Sequence, residues 1–158
     1  MAQSHAPLAP PSSSDPRRDY DPLIAAADLL HQAGRLPFDA HEAGAWARRY
    51  RPLVQSASER VEVHRWLTTL PDSALERVAA EQPQLRSATD RQLVEHADIT
   101  SRLAELMAGA ISETPLATAA VVELMEGALA LERELRRHHE HLVDLVYEAA
   151  NREWGGPG

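Results

Sequence analysis

The sequence feature that most constrains the fold is a long row of mainly apolar residues in the C-terminal part of the chain. Its members follow one another at alternating steps of three and four residues: Val121, Leu124, Ala128, Leu131, Leu135, His138, Leu142, Leu145 and Ala149. This spacing is typical of the face with which an α-helix packs against neighbouring helices. It predicts a C-terminal helix of about 38 residues that begins at Thr114-Pro115 and ends before Gly155.

Three other long helical patterns precede this one. The first begins at Asp21-Pro22, where a capping side chain is followed by a proline, and ends at Gly34. The second begins at the capping sequence 39–42 and continues to Pro71. The third begins at 87–90 and carries its own row on one face: Gln92, His96, Ile99, Leu103, Leu106 and Ala110.

Two local signals modify this pattern. Ser73 and Glu76 have the spacing of a capping box, which predicts a short helix that ends before Pro83. Pro52 falls inside the second helical pattern. Because proline lacks a backbone N–H and its ring crowds the preceding turn, we expect a kink or a break in that helix near Tyr50–Pro52.

These patterns predict the fold class and the domain boundaries. No segment shows the alternation of a strand, and four main helices with short connections predict an all-α, largely antiparallel four-helix bundle with a long C-terminal helix. The bundle domain is expected to span 19–154. Residues 1–18 are rich in Pro and Ser and offer too few apolar groups for a core, which predicts a disordered tail. The Gly-rich residues 155–158 predict a flexible C-terminus.

Composition excludes several classes of function. The chain has no Cys, so disulfides, thiolate zinc sites, iron–sulfur clusters and a Cys nucleophile are excluded. A formal net charge of −8 argues against nucleic-acid binding. No apolar run is long enough to span a bilayer and the first residues lack the apolar core of a signal peptide, so we expect a cytoplasmic protein without a membrane partner. No nucleophile motif or glycine-rich phosphate loop indicates a particular enzyme.

Histidine is the residue type that points to chemistry, because at least one occurs in each main helical pattern. His96 and His138 occupy row positions where an apolar residue is expected. A buried imidazole needs a hydrogen-bond partner or a metal, since an unpaired buried polar group costs on the order of 1–3 kcal/mol. Glu134, His138 and His141 follow at i, i+4 and i+7, which places three possible ligands on one side of the last helix.

Two segments in the second half of the chain, 93–99 and 131–145, resemble the hemerythrin-like (HHE) domains. In that family a His follows a Glu in the third helix, and a His precedes a carboxylate by four or five residues in the fourth. Here His96 follows Glu95, and His139 precedes Asp144 by five residues. The resemblance implies a four-helix bundle with a non-haem di-iron site that binds oxygen or a related small molecule. The ligands that it implies, with Glu134 as a further carboxylate, are His64, His96, Glu134, His138, His139 and Asp144.

Two expectations about geometry accompany this resemblance. His31 would have to supply the ligand from the first helix. If the turn between the third and fourth helices is centred near Ser112–Glu113, His138 lies about 14 Å beyond the level of His96, at 1.5 Å of helical rise per residue. A shared di-iron site needs these two histidines at one level, so either the turn lies elsewhere or the chain has no such site.

Two functional hypotheses follow. The first is a hemerythrin-like protein that binds non-haem iron and, through it, oxygen or a related small gaseous ligand. The second is a metal-free helical interaction or regulatory module that acts through a protein partner or by self-association, using the long C-terminal helix. At about 57 Å that helix is longer than the third helix can cover, so its remainder is expected to contact the first helix, the second helix or another copy of the chain.

Overall fold

The structure, a computed structural model, describes residues 21–111 and 116–154. This part of the chain is all-helical, with no strand and with a long C-terminal helix, as predicted. The α-helices are α1 (Pro22–Gly34), α2 (Ala43–Thr69), α3 (Ala74–Glu81), α4 (Arg86–Ala110) and α5 (Thr118–Trp154), and short 3-10 helices at Ala40–Glu42 and Pro83–Leu85 precede α2 and α4. The predicted tail 1–18, the C-terminus 155–158 and the predicted helix start at Thr114-Pro115 lie outside the described residues.

Several predicted helix starts are confirmed by their caps. The Asp21 carboxylate accepts hydrogen bonds from two backbone N–H groups in the first turn of α1. At the start of α3, the Ser73 hydroxyl accepts from the backbone N–H of Glu76, and the Glu76 carboxylate accepts from the backbone N–H of Asp72 at 2.6 Å. Such caps satisfy N–H groups that have no partner within the helix, and each contributes about 1 kcal/mol.

Of the kink or break expected near Pro52, the break is wrong, because α2 continues through this residue from Ala43 to Thr69. Pro52 cannot donate to the carbonyl of Arg48, one turn earlier, so that carbonyl loses its helical partner. Both residues are exposed. Water can therefore take the place of the missing donor, and the buried residues on the opposite face keep the helix in position.

Helices α1, α2, α4 and α5 form a ring in which each packs against two others: α1 contacts α2 and α5, and α4 contacts the same two helices. Along α4 and α5, a Cβ added at Gly109 would meet Leu124, and one added at Gly127 would meet Leu106. Residue numbers rise on one helix as they fall on the other, so α4 and α5 run antiparallel. The apolar residues facing the middle of the ring form the main core, in which Leu30, Trp46, Leu103 and Leu131 are almost fully buried.

Helices α2 and α5 lie diagonally across this ring and run in the same direction. The buried Tyr50 hydroxyl on α2 donates to the backbone carbonyl of Leu124 on α5 at 2.9 Å. This bond joins residues 74 positions apart. His64 and His138 have the same separation, so the register that the bond sets at one level also brings these two histidines to one level.

The C-terminal part of α5 packs against α3, which was not among the partners expected for it. A second, smaller apolar cluster joins this short helix and the following 3-10 turn to α5; its buried members are Leu75, Val78, Leu85, Leu145 and Ala149. The expectation that α1, α2 or another copy would cover this segment overlooked α3, whose eight residues are too few to suggest a packing role from sequence. No helix in the described part of the chain is both long and apolar enough to cross a membrane.

The close packing of α1 against α5 at Gly34 gives a stability prediction. A Cβ at the buried Gly34 would lie 2.5 Å from Leu129 Cγ and 2.9 Å from the Met125 carbonyl oxygen on α5. Gly34→Ala should therefore lower the free energy of unfolding by about 1–3 kcal/mol, measured by urea denaturation, because the two helices must separate.

Gly44→Ala is the matched control. Among residues 21–111 and 116–154, a Cβ there would meet only Arg48 Nη1, at 3.6 Å, in an exposed turn of α2. Its stability should stay unchanged or rise by up to about 1 kcal/mol, since alanine favours helix over glycine. Equal losses in the two variants would contradict the close α1–α5 contact.

Candidate metal centre

Three buried histidines meet inside the ring, and each comes from a different helix. His64 on α2, His96 on α4 and His138 on α5 are 6%, 3% and 2% exposed. One ring nitrogen from each lies within 4.8 Å of the others. The ring centroids are 5.1 Å apart for His64 and His96, 5.7 Å for His64 and His138, and 4.9 Å for His96 and His138. We call these residues the histidine cluster.

Helical periodicity places each member in the interior. On α2, His64 follows the buried residues Val54, Ala57 and Val61 at steps of three and four. On α4 and α5, His96 and His138 lie next to the buried Ile99 and Leu135 in their rows. Each histidine therefore continues an apolar face, at the end of the main core. The same periodicity that builds the core brings the three rings together.

Several ring nitrogens in the cluster have no hydrogen-bond partner among the described residues. They are His64 Nε2, both nitrogens of His96 and His138 Nε2, and all are shielded from solvent. Each such atom costs on the order of 1–3 kcal/mol when its partner is missing. Buried polar atoms without a partner are rare in folded proteins. Four of them converging in one place favour a ligand in the cluster.

The environment keeps two members of the cluster uncharged. Burial, followed by the positive charges that His96, His138 and His139 would carry, lowers the pKa of His64 from 6.5 to about 3. Burial and the charges of His138 and Arg65 lower the pKa of His96 to about 4, against a smaller opposing effect of Glu95 and Glu62. At neutral pH both rings are therefore neutral and offer a nitrogen lone pair, as metal coordination requires.

A carboxylate orients the third histidine. Glu95 Oε2 lies 2.6 Å from His138 Nδ1. An ionised carboxylate accepts only, so Nδ1 carries the proton and Nε2, inside the cluster, carries the lone pair. Gln92, which is also buried, donates to the same Glu95 oxygen at 3.5 Å. A carboxylate behind the outer nitrogen of a histidine is the usual support of a metal ligand, because it fixes the ring and raises its basicity.

Of the six predicted ligands, the structure brings together His64, His96 and His138 and places the others elsewhere. Glu134 forms an ion pair with Arg102. His139 Nδ1 lies 3.2 Å from Asp21 Oδ2, at the start of α1. Asp144 is exposed and lies six residues beyond His138 on α5.

The helix geometry explains these positions. A residue adjacent to His138 points about 100° away from it around α5, so His139 faces α1. His31, expected as the ligand from the first helix, is exposed. Sequence reasoning did not select Glu95 as a site residue; its only signal was its position directly before a row histidine.

The predicted difference of level between His96 and His138 is wrong. Gly109 lies opposite Leu124, and Leu106 lies opposite Gly127, so the midpoint of the α4–α5 pairing is at position 116.5, not near 112–113. A shift of the midpoint by four residues moves the register by about eight residues, or about 12 Å. That shift accounts for nearly all of the expected separation and brings the two rings to one level.

A small polar cavity between α4 and α5 reaches the cluster from one side. Its volume is about 180 Å³, and it is lined by Glu95, Ile99, Glu134, Arg137, His138 and His141. The cavity borders the Glu95–His138 pair on its outer side. The cluster thus has nitrogen donors and an orienting carboxylate, which are two of the requirements of a metal site.

Comparison of the chain with known protein families, with curated proteins and with solved structures found no match. Function is therefore inferred from the cluster and its surroundings.

The lowered pKa values predict how the metal-free protein responds to acid. An unfolded histidine titrates near 6.5, above the folded values of about 3 for His64 and about 4 for His96. Between these values the unfolded chain binds protons that the folded chain does not. Stability is therefore complete above about pH 7 and falls as the pH decreases below 6.5, by up to about 1.4 kcal/mol per pH unit for each histidine.

Urea unfolding across pH 7.5 to 4.5, in the presence of a chelator, measures this dependence. The double variant His64→Leu/His96→Leu serves as the control and should show a clearly shallower decline. Identical declines in the two proteins would mean that the cluster is not the source of the acid sensitivity.

Proposed function

We propose that the protein is a non-haem metal protein in which His64, His96 and His138 bind one divalent transition-metal ion. Iron is the metal that the hemerythrin-like resemblance implies, and the ion would bind oxygen or a related small molecule. The observation that carries this proposal is the convergence, from three helices, of buried ring nitrogens that have no hydrogen-bond partner among the described residues. Neutral imidazole is a good ligand for iron, zinc, copper and nickel alike. Within this proposal, α1, α2, α4 and α5 form the four-helix bundle of that family.

The donor set favours one ion over two. A di-iron site needs bridging and terminal carboxylates, but Glu95 is the one carboxylate that contacts the cluster in the described part of the chain. The positions four residues after His64 and His138 hold Thr68 and Leu142, which offer no carboxylate. Metal–nitrogen bonds are about 2.0–2.1 Å, so small ring movements would bring three nitrogens now within 4.8 Å to one ion.

Three protein ligands leave coordination positions open, and an open position is what a small-molecule ligand requires. Iron at this site would supply the ability to bind dioxygen or nitric oxide. The chain's own part is to hold the rings, to exclude bulk water and to orient His138 through Glu95. The polar cavity of about 180 Å³ beside that pair is large enough for a diatomic molecule and for water.

The alternative is a metal-free helical module that acts through a protein partner or by self-association. Its support is a set of exposed apolar side chains on α2 and α5, among them Val63, Trp66, Val143 and Tyr147. Exposed apolar groups of this size mark interaction surfaces when they are contiguous. On this hypothesis the histidine cluster is a destabilising element of the interior, without a ligand.

One substitution distinguishes the two functions. His96→Leu removes a central donor and places a residue of similar size on an apolar face, so helix content should be preserved. If the proposal holds, the metal content of protein purified from iron-supplemented cells, measured by mass spectrometry, should fall from near one ion per chain to background. His31→Leu, at an exposed position of α1, should retain the metal.

One combined result would contradict the metal proposal. If the parent protein contains no metal and takes up none of iron, zinc, copper or nickel, and His96→Leu raises its melting temperature, the cluster is only a buried polar defect. Replacing such a group with an apolar one relieves its desolvation and is stabilising.

The role of Glu95 gives a second prediction for the same site. Glu95→Gln should weaken metal affinity by about 10–100-fold, measured by competition with a chromophoric chelator. The reason is that a neutral amide oxygen is a weaker acceptor than a carboxylate for the hydrogen bond from His138 Nδ1. Glu134→Gln is the matched control: this carboxylate lines the same cavity but pairs with Arg102. The metal affinity of Glu134→Gln should change little. A larger loss of metal affinity in Glu134→Gln than in Glu95→Gln would mean that Glu134, not Glu95, supports the metal ligand.

A further inference from the structure

An open groove with a mainly apolar wall lies between α2, α3 and the C-terminal half of α5, and we call it the apolar groove. Its volume is about 580 Å³. Val143 is 52% exposed and Tyr147 is 68% exposed, although both border this concave surface. Removing apolar surface from water is favourable, so whatever covers the wall is stabilised there. The larger apolar residues of the wall are Leu67, Leu75, Leu142, Val143, Val146 and Tyr147.

The described part of the chain begins at one end of this groove. Asp21 and Pro22 belong to its lining, and Asp21 Oδ2 lies 3.2 Å from His139 Nδ1 on α5. Ala150, which also lines the groove, follows His139 by 11 residues, so the groove extends along α5 for about 16 Å. Residues 1–20 are therefore joined to the bundle at the groove itself.

Within residues 1–20, the segment 6–11 (Ala-Pro-Leu-Ala-Pro-Pro) matches the groove in chemistry and in length. It has no ionisable side chain, and Leu8 is its one large apolar residue. Its three prolines favour the polyproline II conformation, in which six residues span about 19 Å, close to the length of the groove. Segments of this kind bind apolar grooves that present aromatic rings, as Tyr147 does here, at a low cost in conformational entropy. Residues 1–18 have too few apolar groups for a core of their own, but the groove supplies the missing partner.

The connection to α1 favours this segment over a second copy of the chain. Residues 12–20 reach up to about 30 Å when extended, so the segment 6–11 can lie along the whole groove. A segment tethered in this way has an effective concentration on the order of 1 mM at its site. A second copy would have to reach that concentration to compete at equal affinity, against the mutual repulsion of two chains of net charge −8.

We propose that residues 6–11 bind in the apolar groove of the same chain, with the Leu8 side chain packed on its wall. The N-terminal segment then covers an interaction surface, which opens to a second copy or to another partner only when the segment is displaced. This interaction goes beyond the metal-binding function and does not depend on it, because the segment and the wall are present with or without an ion.

The experiment uses the full-length, metal-free protein. The chain has no Cys, so Ser12→Cys allows one nitroxide spin label to be attached beside the segment. The label should broaden the NMR signals of the Leu75, Leu142 and Val146 methyl groups, and reduction of the nitroxide should restore them. The methyl signals of Val121, about 30 Å from Leu142 along α5, should stay sharp.

Two substitutions, each with a matched control, test the contact from both sides. Leu8→Arg in the segment and Val143→Arg in the wall should each abolish the broadening, because each places a charge in an apolar contact. Gln3→Arg adds the same charge outside the segment and should retain the broadening. Val122→Arg should also retain it, since Val122 is a similarly exposed valine of α5 that is absent from the described lining of the groove. Leu8 precedes the described helices, so a loss in Leu8→Arg does not come from unfolding of the bundle.

Three results would overturn the proposal. The broadening is absent in the parent protein, or it persists in Leu8→Arg or in Val143→Arg, in which case the segment does not bind in the groove through Leu8. The broadening also appears when spin-labelled protein is mixed with isotope-labelled protein that carries no spin label, in which case the segment binds to another copy. The parent protein sediments as a dimer that Val143→Arg dissociates and Leu8→Arg does not, in which case a second copy covers the wall.

Discussion

The register of α5 against its neighbours is the constraint on which the rest of the structure depends. The Tyr50 hydroxyl holds the Leu124 carbonyl, and the small residues Gly109 and Gly127 allow close contact between α4 and α5. A slip of one residue would rotate α5 by about 100° and carry His138 out of the interior. The apolar row and the candidate metal centre are thus set by the same alignment.

The histidine cluster opposes folding in the absence of a ligand, and the main core compensates for it. Three imidazoles are desolvated, and several of their nitrogens have no hydrogen-bond partner in the described residues. Natural proteins tolerate such cost at functional sites, where the required chemistry conflicts with the best packing. These unpartnered ring nitrogens lie at one end of the core, and the layers around Trp46 and Leu103 are built mainly from apolar side chains.

Much of this fold could be predicted from sequence because its signals are local. Caps such as Asp21 and Ser73, and the row on α5, depend on spacing within one helix. The predictions that failed depend on contacts between helices. The packing of α4 against α5 sets the relative level of His96 and His138, and spacing within one helix does not predict it. Glu95 was missed for the same reason, since only the packed helices reveal that its carboxylate reaches a ring on α5. The break at Pro52 was wrongly predicted because the exposure of this residue, which lets water replace the missing donor, is also a tertiary property.

The histidine cluster draws on α2, α4 and α5, whereas α1 contributes no ring to it. An ion held there would act as a cross-link among three helices. In the part of the chain that the structure describes, the fourth would stay attached by apolar packing and by its contacts at Asp21 and Asp28. The molecule would then have two cooperative units of unequal resistance to opening. The amide hydrogens of α1 would exchange with solvent through detachment of that helix alone, at a rate that the ion barely changes, while exchange from the other three would slow with every increase in metal occupancy.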